Sequence, residues 1–262
     1  MMLRKISRPL YGHRGFSLIE LMISLTIGVI VLTSATGLVV SSADARRIVK
    51  FSAELQEESF FVTHLLKQQL AQAGYRRIGT ASATTRAIPI PNLDDHYPAI
   101  TGKWLSGQLI NISGGALSYR FDGASNPDGT ADGSIYDCFG NAVPFGVVIE
   151  SSISLQSNSL VCSIGANSTM LIDGTRDTII EQLVFTLGVD SNNDRTIDRT
   201  VDSSVATAAD YSNARNLTIR MLLASRDGVI KHNQTYRFNG VDTTATDNRL
   251  RTEAVVPVAL RH

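Results

Sequence analysis

Net charge is missing from this chain: 24 lysines and arginines face 24 aspartates and glutamates over 262 residues. No overall field would draw it to nucleic acid or to an acidic substrate. Catalytic signatures are missing as well. The sequence holds no phosphate-cradling Gly-Lys-Ser/Thr, no His-Glu-x-x-His and no Gly-x-Ser-x-Gly elbow. The five histidines, His13, His64, His96, His232 and His262, are scattered without metal-ligand spacing. The nearest constellation, Asp94-Asp95-His96, falls in a connector, Thr80 to Tyr97, that has prolines and no clear period. An enzyme is therefore not expected, since a hydrolase needs a nucleophile, a base and an orienter that this sequence does not announce. There is no internal repeat, and there are only two cysteines.

One absence is local and more informative. From Leu21 to Ala43 no residue carries a charge, while Arg4, Lys5, Arg8 and Arg14 precede the run. About 20 apolar residues rising about 1.5 Å each cross a hydrocarbon core of about 30 Å, so this run is long enough to span a membrane. Its basic flank predicts a cytoplasmic N-terminus and translocation of everything after Asp44. A cleavable secretory signal is the competing reading, because Ala43-Asp44-Ala45 offers small residues around a cut. Such signals have apolar regions of roughly 7 to 15 residues, shorter than this one, and need no acid.

An acid is present here, at Glu20, one turn inside the apolar segment. An ionised side chain in hydrocarbon costs about 2.5 kcal/mol or more at mid-membrane and persists where something pairs with it. A plain single-span anchor with an incidental glutamate is the bland alternative.

Past Asp44 the pattern becomes amphipathic. Ile48, Phe51, Leu55, Val62, Leu65, Leu66, Leu70 and Ala73 recur at three-and-four spacing among Arg46, Lys50, Glu54, Glu57, Glu58, Lys67 and Gln68, which predicts a helix with one face buried against a domain. Gly74 supplies a stop, followed by the basic Arg76 and Arg77. The pair Phe60 and Phe61 is expected in the core. The rest alternates as half-buried strands: Leu117, Tyr119, Phe121; Leu183, Phe185, Leu187, Val189; Leu217, Ile219, Met221, Leu223. Turn-rich stretches, 122–133 and 190–198, separate them. In a translocated domain Cys138 and Cys162 are expected to pair.

The segment Gly15-Phe16-Ser17-Leu18-Ile19-Glu20 resembles the class III leader of type IV pilins and pseudopilins. The basic leader, Gly15, Phe16, Glu20 and the apolar run occur together. The resemblance implies an α+β, type IV pilin-like fold, with a long N-terminal helical spine packed on an antiparallel β-rich domain. Its parts would be a leader at 1–15, a transmembrane and filament-core helix at 16–43, the amphipathic half of the spine at 44–75, and an extracytoplasmic domain at 76–262. It further implies cleavage by a prepilin peptidase between Gly15 and Phe16, methylation of the Phe16 amine, and an assembly role for Glu20 against the N-terminal amine of a neighbouring subunit. The cysteine contexts and the C-terminal third, Leu217 to Ser225 and then Arg249 to Arg261, resemble PilW-type minor pilins. Partners implied are other minor pilins, the major pilin, a tip adhesin, and the inner membrane before assembly. A minor pseudopilin of a type II secretion system and a membrane-anchored binding module are the alternatives. Major pilins often carry a proline along this helix; here Gly28 and Gly37 stand instead.

The segment Asp190 to Asp198 puts Asp190, Asn192, Asp194, Thr196 and Asp198 at alternate positions with an apolar Ile197, a spacing that can wrap calcium. Arg195 stands where such a loop wants glycine, and Val201 where it wants a bidentate glutamate. A solvated hairpin tip is the competing and preferred reading.

Overall fold

The computed structural model describes residues 15, 17–76, 96–126, 128–226 and 228–260. The chain divides into two compact units, Met1–Val49 and Lys50–His262.

Helix α1 runs Leu18–Leu70. Within the first unit its large apolar side chains, from Leu18 to Val40, stand more than half exposed. The hydroxyls of Ser24, Thr26, Thr33, Ser34 and Thr36 donate to carbonyls three or four residues back, at 2.8–3.0 Å. Each is thereby satisfied within the helix, as an apolar surrounding requires. This is a helix long and apolar enough to cross a membrane.

In the second unit α1 turns one stripe inward. Leu55, Val62, Leu66 and Leu70 are buried, followed by Ala73. Phe51 and Leu65 are half-buried rather than core, as is Ile48 in the first unit. Phe60 and Phe61 do not join the core at all: they are 76% and 52% exposed. At about 100° per residue they lie about 200° and 100° round the helix from Val62, off the stripe it shares with Leu55 and Leu66. The helix gives way to turns after Leu70, and Gly74 adopts φ 75°, which a glycine accepts without steric cost. Its N–H donates to the Arg120 carbonyl at 2.8 Å, tying the helix end to a strand.

Eleven strands follow among the described residues: β1 Ile110–Ser113, β2 Ala116–Phe121, β3 Ile149–Gln156, β4 Ser159–Ile164, β5 Asn167–Ile172, β6 Thr178–Val189, β7 Arg199–Asp202, β8 Ala214–Ser225, β9 Gln234–Phe238, β10 Val241–Ala245 and β11 Arg251–Ala259. A short helix, α2 Ala208–Ser212, lies before β8 and is closed by a Thr207–Asp210 capping box. The first sheet is the antiparallel meander β1-β2-β3-β4-β5, and the second has the order β11-β8-β6-β7. β9 and β10 form a separate hairpin. The fold is α+β.

Alternation places the core. Leu217, Ile219, Met221 and Leu223 of β8 and Phe185, Leu187 and Val189 of β6 are buried, and so are Leu117, Tyr119 and Phe121 of β2. They form one cluster with the helix stripe. A register shift between Ile180 and Gln182 leaves Glu181 unpaired in the ladder. The extra residue returns Ile180 to the face of Leu183 and Phe185 and releases Glu181 for other partners.

Candidate functional site

The N-terminal site begins at Gly15, an exposed residue, while Phe16 lies outside the described residues. A Cβ built on Gly15 would meet nothing within 4 Å, and its φ is not in the left-handed region. Among the described residues nothing requires glycine there. Ser17 starts the helix: its carbonyl accepts the N–H groups of Glu20 at 3.0 Å and Leu21 at 3.1 Å. Glu20 thus stands exposed in the first turn, where unpaired N–H groups favour a carboxylate. Gly28 and Gly37 likewise have open space around a built Cβ. Each costs about 1 kcal/mol of helix propensity relative to alanine, and no contact among the described residues explains them.

The loop between β6 and β7 is internally satisfied. Asp190 is buried; its Oδ1 accepts the Asp194 N–H at 3.1 Å, and its Oδ2 accepts the Arg195 N–H at 2.9 Å and Arg215 Nε at 3.1 Å. Arg215 Nη2 also donates to Asn193. Burial works against ionisation of Asp190, yet the Arg195 amide and the Arg215 guanidinium together hold its carboxyl below the usual range. Asp194 is turned to Thr196, whose hydroxyl and N–H it accepts, and Asp198 accepts the Ser191 N–H at 2.7 Å. The calcium expectation fits this donor set poorly, because a guanidinium from β8 already meets the one buried carboxylate. Among the described residues no three His, Cys, Asp or Glu side chains are placed to hold a metal ion. Asn193 and Arg195 take φ 61° and 73°, so Arg195 adopts the left-handed conformation that glycine accepts more readily.

Cys138 and Cys162 are joined, with S–S 2.03 Å and Cα–Cα 6.4 Å. The bridge fastens the long β2–β3 connection to β4. Asp137 prepares one end by accepting the N–H groups of Phe139 and Asn141 at 2.9 and 2.8 Å.

A buried polar cluster forms where the described chain resumes after α1. Arg120, an outward position by strand alternation, is only 2% exposed. Its guanidinium donates to the carbonyls of Pro98 at 2.8 Å, Tyr97 and Leu105 at 3.3 Å, and Gln108. It lies 4.4 Å from the Trp104 ring and 5.3 Å from that of Tyr97. Tyr97 donates its hydroxyl to the Tyr75 carbonyl, and burial drives that phenol's pKa far above its ordinary value. His96 Nε2 approaches Asp122 Oδ2 to 3.1 Å without the alignment of a hydrogen bond, and Asp122 Oδ1 accepts the Gly123 and Gly146 N–H groups at 2.7 and 2.9 Å. The cluster ties connector, β2 and the β2–β3 loop together, and holds no nucleophile beside a base.

Residues 11–36 match the family described as the prokaryotic N-terminal methylation motif. The chain carries that methylation motif. No curated protein matches the sequence. Among solved structures, a type IV-like pilin from Thermus thermophilus is similar at 14% identity, over 78% of this chain and 95% of that one, with a TM-score of 0.40. That likeness is too distant to bear on function.

The methylation motif encloses Gly15, Phe16 and Glu20 together with the first part of the charge-free run. Asp94 and Asp95 lie outside the described residues, and their neighbour His96 turns to Asp122. His64 and His232 are exposed and far apart in sequence. Nothing in Arg120-Phe121-Asp122 distinguishes a buried guanidinium from a surface one, because the acceptors of Arg120 are carbonyls, which sequence does not flag.

Proposed function

We propose that this chain is a minor pilin of the PilW type that acts in the assembly or priming of a type IV pilus. The supporting observation is the conjunction of the methylation motif at 11–36 with a helix that is free of charge from Leu21 to Ala43 and then becomes amphipathic as it runs on into an α+β domain. On this reading a prepilin peptidase cuts between Gly15 and Phe16 and the Phe16 amine is methylated. That none of the described residues crowds Gly15 supports an external demand for glycine, such as a peptidase cleft. Before assembly the N-terminus is cytoplasmic, the helix spans the inner membrane and the domain is periplasmic. In the filament the helix core replaces lipid around the exposed apolar side chains of Leu18 to Val40. Glu20 then meets the ammonium of a neighbouring N-terminus, satisfying a charge that hydrocarbon alone would penalise. Other minor pilins, the major pilin and a tip adhesin are the partners, and the work is structural.

The test is processing and phenotype together. Mature protein should begin at methylated Phe16, and Gly15→Val should leave an uncut precursor. Glu20→Ala should be inserted and cleaved yet poorly incorporated. Loss of exoprotein secretion with pili intact in a deletion strain would instead assign the chain to a type II secretion filament. A mature chain beginning at Met1, or after Ala45, would make it an anchored or secreted module.

A further inference from the structure

The C-terminal end of α1 and the β2–β3 connection enclose a cleft of about 360 Å³, within the size range of small-molecule sites, roughly 300–1,000 Å³. No residue that lines it is charged. Three are glutamines, Gln68, Gln69 and Gln72, and two are tyrosines, Tyr75 and Tyr136. The glutamines are only partly used by the fold. Gln69 is 8% exposed, and its Oε1 accepts the Tyr119 hydroxyl at 3.3 Å, but its Nε2 makes no hydrogen bond among the described residues. A buried amide nitrogen without an acceptor is rare and unfavourable, and this one belongs to a residue that lines an open cleft. Gln72 repeats the arrangement: its Oε1 accepts the Tyr136 N–H at 3.2 Å, and its Nε2 is left over. The side chain of Gln68 is exposed and makes no hydrogen bond among the described residues. The cleft therefore presents amide donors in excess.

The tyrosines supply a flat apolar surface beside those donors. Tyr136 is 43% exposed, yet its ring is placed: the phenol oxygen lies 3.1 Å from where a Cβ would stand on Gly133, so a side chain at that turn would crowd it. Tyr75 is half-buried on the helix side. Each class of ligand can be weighed against this lining. An anion would find no cation among the lining residues to pair with. A purely apolar ligand would leave the Gln69 amide both unpaired and cut off from water. A neutral sugar ring meets both demands, since it has a face of C–H groups to lay on an aromatic ring and a rim of oxygens to accept from amides.

We propose that this cleft binds a neutral saccharide, with one sugar ring against Tyr136 and its oxygens on the Nε2 groups of Gln69 and Gln72. The inference goes beyond the proposed function and does not rest on it: the same cleft would serve a subunit of a pilus, of a secretion filament or of neither. Two sources share the chemistry, an N-acetylated cell-wall glycan and a plain glucan.

The experiment uses the full-length chain in phosphocholine-detergent micelles, which carry no sugar. The probes are tri-N-acetylchitotriose, cellotriose and trigalacturonic acid, read by saturation-transfer NMR, which reports the ligand protons that touch the protein. At least one neutral trisaccharide should receive saturation on its ring C–H protons and bind with a Kd of about 1 mM or tighter, and the acidic trimer should not. Preference for the N-acetylated probe assigns the cell-wall source, and preference for cellotriose the glucan. Tyr136→Ala and Gln69→Met should each weaken binding roughly tenfold, whereas Tyr136→Phe, which keeps the ring, should bind as the parent does. Gln69→Met also takes the acceptor from Tyr119, so melting temperature is measured on every variant. Should that variant fail to fold, Tyr136→Ala and the exposed Gln68→Ala, for which a loss of about threefold is expected, decide the matter. The proposal is overturned if neither neutral trisaccharide receives saturation at about 10 mM, ten times the expected Kd. It is equally overturned if the acidic trimer binds as well as the neutral ones, or if folded Tyr136→Ala binds as the parent does.

Discussion

Arg120→Met should be the most damaging single change in the globular unit. It is nearly isosteric along the stem, but it removes the guanidinium at which the carbonyls of Tyr97, Pro98, Leu105 and Gln108 all point; those of Tyr97 and Leu105 keep the N–H groups of Gly107 and Gln108, whereas those of Pro98 and Gln108 lose their donor. Each buried acceptor left without a partner costs about 1–3 kcal/mol. Some would recover water at the rim, since Trp104 and Tyr97 cover only the faces of the group, so we expect a net loss of about 3–5 kcal/mol, the size of other broken buried networks. With a urea slope of about 2 kcal/mol/M the midpoint falls by about 2 M. Trp104 is the only tryptophan in the chain, so its fluorescence reports on this site. In a soluble chain beginning at Asp44, emission should shift to the red before global unfolding, because the ring loses the cation stacked on it and the loop that the cation holds. Arg120→Lys should fall between, keeping one charge without the planar fork. A midpoint within about 0.5 M of the parent, which at that slope is about 1 kcal/mol, together with unchanged emission, would show that the guanidinium is incidental to the fold.

Three further outcomes follow from the geometry. Replacing both Cys138 and Cys162 by serine should cost about 3.5 kcal/mol, the unfolded-state entropy of a loop of about 25 residues; a loss under 1 kcal/mol in urea unfolding would contradict it. Acid should destabilise the domain: hydrogen bonding from Arg251 brings Asp247 to about 2, and the Thr207 amide holds Asp210 below its ordinary value. Carboxylates with lowered folded pKa values stabilise above the unfolded value of about 3.9 and lose that contribution as pH falls toward the folded one. The melting temperature should therefore drop between about pH 4 and pH 2, and a flat profile there would refute the assignment. For the loop at 190–198 we expect melting curves in calcium and in chelator to coincide, and Arg215→Met to lower stability by freeing Asp190. A calcium-dependent rise of several degrees, the scale expected of a ligand well above its dissociation constant, would reinstate the metal reading.

The legible parts were those with a short-range cause. A charge-free run, a glycine–phenylalanine junction and an acid five residues on are statements about hydrocarbon and about an enzyme's cleft, and they need no tertiary structure to be read. Alternation in Leu217 to Leu223 and the 55-62-66-70 stripe likewise follow from the periods of strand and helix. What the sequence left undecided was every choice between equivalent local options. Phe60 and Phe61 are as apolar as the core residues beside them, and the packing that buries the 55-62-66-70 stripe leaves both exposed. Arg120 alternates as a surface residue, and only the return of the Tyr97–Gln108 segment across β2 gives it carbonyls to bury against. Asp190 to Asp198 has the rhythm of a calcium loop, and only the pairing of β6 with β8 brings Arg215 to Asp190. In each case the deciding partner is distant in the chain, and pairings across such distances are settled by packing rather than by local propensity.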